Sequence, residues 1–166
     1  MVDAGWPATV RYLGNGGDPT RRREYSNIPE TLLHVAAQYN QIGIMTALLD
    51  AGADPNGLNS VGHTPLFDAV ISNHREAVRL LLKRGANHRI TDPKGRTALF
   101  DAVEENYPEI VKTLLSVSTK RDVNTRSKNS DTPIYLAQTP NVAALLLRKG
   151  ADPNTLHARY GTPLIH

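Results

Sequence analysis

Six histidines are the side chains of this chain best suited to proton transfer or metal ligation: His34, His63, His74, His88, His157 and His166. A catalytic or metal site would bring them together at short, fixed spacings. Here they are scattered, one to a local motif, and no cysteine stands among the 166 residues to join them. That absence excludes disulfides, thiolate-held zinc or iron–sulfur and a thiol nucleophile. Gly14-Asn15-Gly16-Gly17 has the glycines of a phosphate loop but neither the following Lys-Ser/Thr pair nor a preceding strand. No serine lies within Gly-x-Ser-x-Gly. Asp68 and Asp101 occupy the same place in two similar strings, which reads as a repeated solvated or finger-bonding position, or a partner contact, rather than an acid–base pair. No enzyme, cofactor or metal is expected.

Bulk properties agree. The chain is 40% hydrophobic with a net charge of +3, ordinary for a soluble globular protein and too mild to imply nucleic acid by itself. The longest aliphatic block, Ala143 to Leu147, is far below the ~18 residues of a membrane span. The start, Met1-Val2-Asp3-Ala4-Gly5-Trp6-Pro7, lacks the charged and apolar parts of a signal peptide. With no cysteine, a reducing compartment fits, and an intracellular, cytoplasmic or nuclear location is the expectation.

The elements that carry these residues come from internal repetition. Thr31-Leu32-Leu33-His34-Val35-Ala36-Ala37 recurs as Thr64-Pro65-Leu66-Phe67-Asp68-Ala69-Val70, as Thr97-Ala98-Leu99-Phe100-Asp101-Ala102-Val103 and as Thr132-Pro133-Ile134-Tyr135-Leu136-Ala137. Thr162-Pro163-Leu164 begins another copy. A second string follows the first: Leu48-Leu49-Asp50-Ala51-Gly52-Ala53-Asp54, Leu81-Leu82-Lys83-Arg84-Gly85-Ala86-Asn87 and Leu146-Leu147-Arg148-Lys149-Gly150-Ala151-Asp152. Threonine followed by proline predicts a hydroxyl N-cap with proline at the first helical position. Asn40, Asn73 and Asn106 suit the left-handed residue that ends each short helix, and Gly52, Gly85 and Gly150 end the second helices. The polar stretches between a glycine stop and the next threonine predict an extended excursion with a tight turn. Helix, turn, helix and protruding loop make one unit, and neighbours must stack to bury the apolar face.

The period and the strings Gly62-His63-Thr64-Pro65-Leu66-Phe67 and Leu81-Leu82-Lys83-Arg84-Gly85-Ala86-Asn87 resemble the ankyrin repeat. The resemblance covers nearly the whole chain. It implies an all-α repeat solenoid of helix-turn-helix units with protruding β-hairpin or loop fingers, forming one domain over residues 1–166. A partial repeat is expected over 5–26, repeats over 27–59, 60–92, 93–127 and 128–156, and the start of a truncated one over 157–166. Both ends interrupt a unit, which reads as a piece of a longer array or as a protein with degenerate caps. Ser116-Val117-Ser118-Thr119-Lys120 replaces the glycine stop of the third repeat and is expected to loosen its exit. The fourth repeat is short, with a clipped first helix before Gln138-Thr139-Pro140. The resemblance also implies that His34 bonds to the neighbouring loop. Asn56, Asn124 and Asn154 hold the loop asparagine position that can be hydroxylated in related proteins, with a loop-bonding role as the plainer reading.

What the resemblance implies about work is binding. Repeating residues fold the unit, and the variable ones at finger tips and on inner helices touch a partner. Ser60, Val61, His63, Lys94, Arg96, Lys128, Asn129 and Asp131 are the expected finger contacts, and Tyr39, Ile71, Ser72, Glu104 and Glu105 the inner-helix contacts. Tyr39 is the first choice as anchor, because tyrosine is enriched at binding hot spots. The expected partner is another protein or peptide, with no membrane insertion. A binder of nucleic acid or an acidic surface through basic finger tips (Lys94, Arg96, Lys128, Arg159, and the run Arg21-Arg22-Arg23) is the alternative. With 5% aromatics, mostly at packing places, nucleic acid is the weaker reading. A regulatory segment of a larger enzyme or channel is the third.

Overall fold

The computed structural model describes residues 31–155. Expectations for 5–26, for the arginines at 21–23, for Arg159 and for 157–166 lie outside the described residues. The chain divides into two compact units, Met1–Asn87 and His88–His166. Among the described residues there are seven α-helices and no strand, with one isolated antiparallel bridge between Thr91 and Thr97.

In the first unit, α1 (Leu32–Gln38), α2 (Ile42–Asp50), α3 (Pro65–Ile71) and α4 (Arg75–Lys83) form two helix pairs. Each first helix packs on its own second helix, and α1 packs on α3, and α2 on α4. Leu33, Met45, Leu48, Leu66, Phe67 and Leu81 are fully buried between them. Each such side chain contributes about 1.5–3 kcal/mol when taken out of water. Ala36, Ala69 and Ala77 are buried too, their small size allowing close helix approach.

The second unit holds α5 (Ala98–Glu104), α6 (Pro108–Val117) and α7 (Pro140–Arg148), with 3-10 turns at Asp122–Asn124 and Pro133–Leu136. The Pro133–Leu136 turn is the clipped first helix of the fourth repeat. Phe100, Ile110, Leu114, Ile134 and Leu146 fill this core.

Helix ends obey the sequence. Asn40, Asn73 and Asn106 have φ of 53°, 58° and 55°, and the next residue donates back to the helix: Gln41 N to Ala36 O, His74 N to Ala69 O, Tyr107 N to Ala102 O, all at 2.8–2.9 Å. This Schellman-type reversal satisfies carbonyls that a helix end would leave bare. Gly52, Gly85 and Gly150 do the same at φ near 90°, passing the bond to Ala53, Ala86 and Ala151.

Helix starts do not behave as the threonines predict. Thr31, Thr64, Thr97 and Thr132 stand at the N-cap in extended conformation, yet none makes a side-chain cap bond. Their carbonyls instead accept the N–H three residues on, and two of the hydroxyls turn sideways. Thr31 Oγ1 meets His34 Nδ1 at 2.7 Å, and Thr132 Oγ1 meets Thr155 Oγ1 at 2.8 Å.

The exit of the third repeat also differs from expectation. Ser118 leaves the helix in extended conformation, and its hydroxyl donates to Leu114 O at 2.8 Å. Asp122 then gathers the segment: it accepts from Thr119 N at 2.6 Å, Thr119 Oγ1 at 2.8 Å, and Arg89 Nε and Nη2 at 2.8 and 3.2 Å. A half-buried carboxylate replaces the missing glycine as the organiser of the turn, so the exit is fastened rather than loosened. Those donors, Arg89 first, hold the Asp122 carboxyl well below the usual carboxylate range.

Candidate functional site

Among the described residues, each of three fingers is a five-residue turn built on one acceptor. Asn59 Oδ1 accepts from the N–H of Val61 and His63 at 3.1 and 3.0 Å. Asp92 Oδ1 accepts from Lys94 and Arg96, both at 2.8 Å, and Ser127 Oγ from Asn129 and Asp131, both at 3.2 Å. The backbone closes each turn in the same register, as in Asn59 N to His63 O at 2.8 Å and Asp92 N to Arg96 O at 2.8 Å. Sequence reasoning missed these three residues. They differ in type and share only an oxygen five positions before the repeat threonine.

In the first unit the expected contact residues divide cleanly. Tyr39 is 58% exposed, Val61 48% and Ile71 45%. Tyr39 and Ser72 are the C-caps of α1 and α3, and Ile71 is the last residue of α3, so all three lie at the same end of two packed first helices. Ser60 and Val61 form the exposed tip of the finger. His63 is half-buried, its ring stacked on Phe67 with centroids 4.9 Å apart. His34 is buried beneath: its Nε2 faces His63 O at 3.1 Å. A carbonyl can only accept, so Nε2 carries the proton and Nδ1 accepts from the Thr31 hydroxyl. The histidine ties helix to loop, as the resemblance implies.

In the second unit Lys94, Lys128, Asn129, Glu104 and Glu105 are exposed, and Asp131 is half-buried. Arg96 is turned inward. Its guanidinium meets Asp92 Oδ2 at 3.4 Å, Asp101 Oδ1 at 2.7 Å and Glu104 Oε2 at 2.7 Å. Burial, with Asp92 and Glu104 nearby, pushes the Asp101 carboxyl up to about 6 against the opposing pull of Arg96. One oxygen of Asp101, Oδ2, is buried without a hydrogen-bond partner. Arg96 and Glu104 therefore fasten finger to helix, and the cations left outward at these tips are Lys94 and Lys128.

The side chains of Asn56 and Asn124 are likewise committed to the fold. Asn56 donates to Gly85 O at 3.2 Å and accepts from Asn87 N at 2.7 Å; Asn124 donates to Gly150 O at 2.9 Å and accepts from Asp152 N at 2.8 Å. Asn154 donates its backbone N–H to Asp152 Oδ1 at 2.9 Å. Among the described residues no three potential ligands cluster to hold a metal, and no helix is long and apolar enough to cross a membrane.

The helix pairs, their asparagine and glycine reversals and the loop fingers define a repeat array. A family model described as ankyrin repeats (3 copies) matches residues 2–92 and 85–157, and the chain belongs to the ankyrin repeat family. It is 30% identical over 159 residues to "Ankyrin repeat protein nuc-2" of Neurospora crassa, covering 93% of this chain and 14% of that protein. It is 44% identical over 52 residues to "Neurogenic locus notch homolog protein 4" of Homo sapiens, covering 31% of this chain and 3% of that one. The chain thus spans only a small part of these relatives. Ankyrin repeats are in general protein–protein interaction modules and typically noncatalytic.

Proposed function

We propose that this chain is a noncatalytic module that binds a partner protein or peptide on its inner-helix ends and finger tips, as one part of a larger polypeptide. The observation that carries this reading is the exposure of Tyr39, Val61 and Ile71 on the first unit. Folding has no use for them: the helix reversal is made by Asn40 and Asn73, and the finger turn by Asn59. Large apolar side chains left in water beside packed helix ends are the usual anchors of an interface. The rim of polar residues, Ser60, Ser72 and His63, fits the margin of such a site. The alternative, a binder of nucleic acid through basic tips, loses support because Arg96 is spent on three carboxylates.

The test is affinity capture with the whole chain, comparing wild type, Tyr39→Ala/Ile71→Ser and a control, Val117→Ser/Leu147→Ser, that removes exposed apolar groups elsewhere. Partners held by wild type and control but lost by the first variant, with unchanged circular dichroism, support the reading. Equal recovery by all three proteins overturns it.

A further inference from the structure

An open groove of about 490 Å³ lies within the second unit, and its lining includes Lys120, Asn124, Arg126, Gly150, Asp152 and Thr155. That volume falls in the range of roughly 300–1,000 Å³ that ligand sites occupy. Asn124 fastens the two segments that form it. Its side-chain amide donates to Lys120 O at 2.8 Å and Gly150 O at 2.9 Å, and its Oδ1 accepts from Asp152 N at 2.8 Å. The groove is therefore set by the fold.

Two exposed cations border it. The stem of Lys120 lies against Gly150, where a Cβ would stand 3.1 and 3.2 Å from Lys120 Cγ and Cδ. Packing thus seats the stem and lowers the ordering cost of using its ammonium. Among the described residues neither Lys120 nor Arg126 is in ion-pair contact with a carboxylate. The one carboxylate in the lining, Asp152, accepts from Asn154 N at 2.9 Å and serves its own turn. The surrounding segments agree in sign: residues 117–126 and 145–155 hold five cations and two carboxylates, and the second carboxylate, Asp122, is held by Arg89.

The repeat itself has no need of these charges. In the first unit Asn56 makes the bonds that Asn124 makes here, donating to Gly85 O and accepting from Asn87 N. Four residues before Asn56 stands Gly52 and two residues after it Leu58, at the places of Lys120 and Arg126. The same link between loops forms there without either cation.

We propose that this groove receives a phosphate monoester carried on a serine or threonine of the partner protein. Such a group brings nearly two negative charges and three acceptor oxygens. An arginine fork and a lysine point charge can engage it together, whereas a single carboxylate matches only one of them. The proposal rests on the protein-binding reading and deepens it, since it makes binding depend on the partner's phosphorylation.

The test is a proton–nitrogen NMR titration of the whole chain with a phosphoserine peptide in a serine–alanine context. Companion probes are the same peptide with serine or glutamate at that place, inorganic phosphate and a thymidine oligonucleotide. Shifts are expected at the amides of Lys120, Asn124, Asp152 and Asn154, with affinity roughly three- to tenfold above that for the glutamate peptide. Lys120→Ala/Arg126→Ala is expected to weaken the phosphopeptide roughly three- to thirtyfold, the sum of two exposed charge pairs. Lys94→Ala/Lys128→Ala, which removes two other exposed cations of the same unit, should change it less than about twofold. Equal loss in the two variants, equal affinity for the glutamate peptide, or no shift at these amides overturns the proposal. Tighter binding of inorganic phosphate or of the oligonucleotide through the same two side chains also overturns it, in favour of that ligand. The Tyr39/Ile71 capture result stands or falls separately.

Discussion

Arg96 Nη2 donates to Asp101 Oδ1 at 2.7 Å, so one ion pair bolts the second finger to helix α5. The bolt is asymmetric: Asp92 and Glu104 share the same guanidinium, and Asp92 and Asp101 are buried whereas Glu104 is exposed.

That asymmetry gives a pH dependence of defined sign. Burial raises the folded Asp101 carboxyl to about 6, against an ordinary 3.8. Between those values the folded state holds the proton more often than the unfolded state, so stability falls as pH rises through this window. The effect is at most about 3 kcal/mol, from 1.36 kcal/mol for each pH unit of separation. Urea unfolding of wild type and Asp101→Asn at intervals from pH 4 to 7 checks it. Wild type should lose stability toward pH 7 and the variant should follow a flatter line. Parallel profiles would show that Asp101 titrates normally.

Asp122 works in the opposite sense. Its folded carboxyl lies below the ordinary range, so its contribution is present above about pH 4 and is lost as pH falls further. Asp122→Ala removes the acceptor for Arg89 and for both donors of Thr119, and should cost about 2 kcal/mol, as for a hydrogen bond to a charged group. Thermal melting measures the cost, and hydrogen exchange at Thr119 N–H should accelerate at the same time. An unchanged exchange rate would mean that the 3-10 turn at Asp122–Asn124 holds without its carboxylate.

The repeat was legible because its punctuation is chemical. Asn40, Asn73 and Asn106 recur at the place where only a few residue types accept a left-handed backbone, and they adopt it. Tyr39 and Ile71 were also readable, as large side chains at variable places, and both are exposed. What could not be read was the fate of groups with several possible partners. The repeat threonines have the right chemistry for caps, but two of their hydroxyls found His34 and Thr155. Arg96 looked like a free cation because its carboxylates, Asp92, Asp101 and Glu104, lie four, five and eight positions away and meet only once the finger folds back.

His34 occupies the place that Phe67 and Phe100 fill in the next two repeats. His34→Phe preserves an aromatic ring but leaves His63 O without the Nε2 donor and Thr31 without its ring partner. His63 O keeps its bond from Asn59 N, so the loss is of the two His34 hydrogen bonds, about 0.5–1.5 kcal/mol each, together more than the extra apolar area of phenylalanine returns. Chemical denaturation should show a net loss, with His34→Leu no better. A stabilised His34→Phe protein would mean that the site values packing over the link to the finger.

Lys128 N donates to Lys94 O at 2.8 Å, joining two finger tips of the second unit, and the positive-φ residues of those tips, Gly95 and Ser130, should respond to mutation in opposite directions. Ser130 holds φ at 66° with a Cβ to accommodate, so Ser130→Gly relieves a left-handed cost of about 1 kcal/mol, and the gain is reduced by the freedom glycine adds to the unfolded chain. Gly95→Ala adds a Cβ at φ +75°, 3.2 Å from Lys128 N, and backbone cannot swing aside as a side-chain end would. It should lose about 1–2 kcal/mol from the left-handed backbone alone, and more if the Lys128 N to Lys94 O bond opens. Equilibrium unfolding in urea gives both values, and hydrogen exchange at Lys128 N–H reports the join itself. Ser130→Gly should leave that amide protected and Gly95→Ala should expose it. Protection retained in Gly95→Ala would show that the two tips can separate their side-chain spacing from their backbone contact.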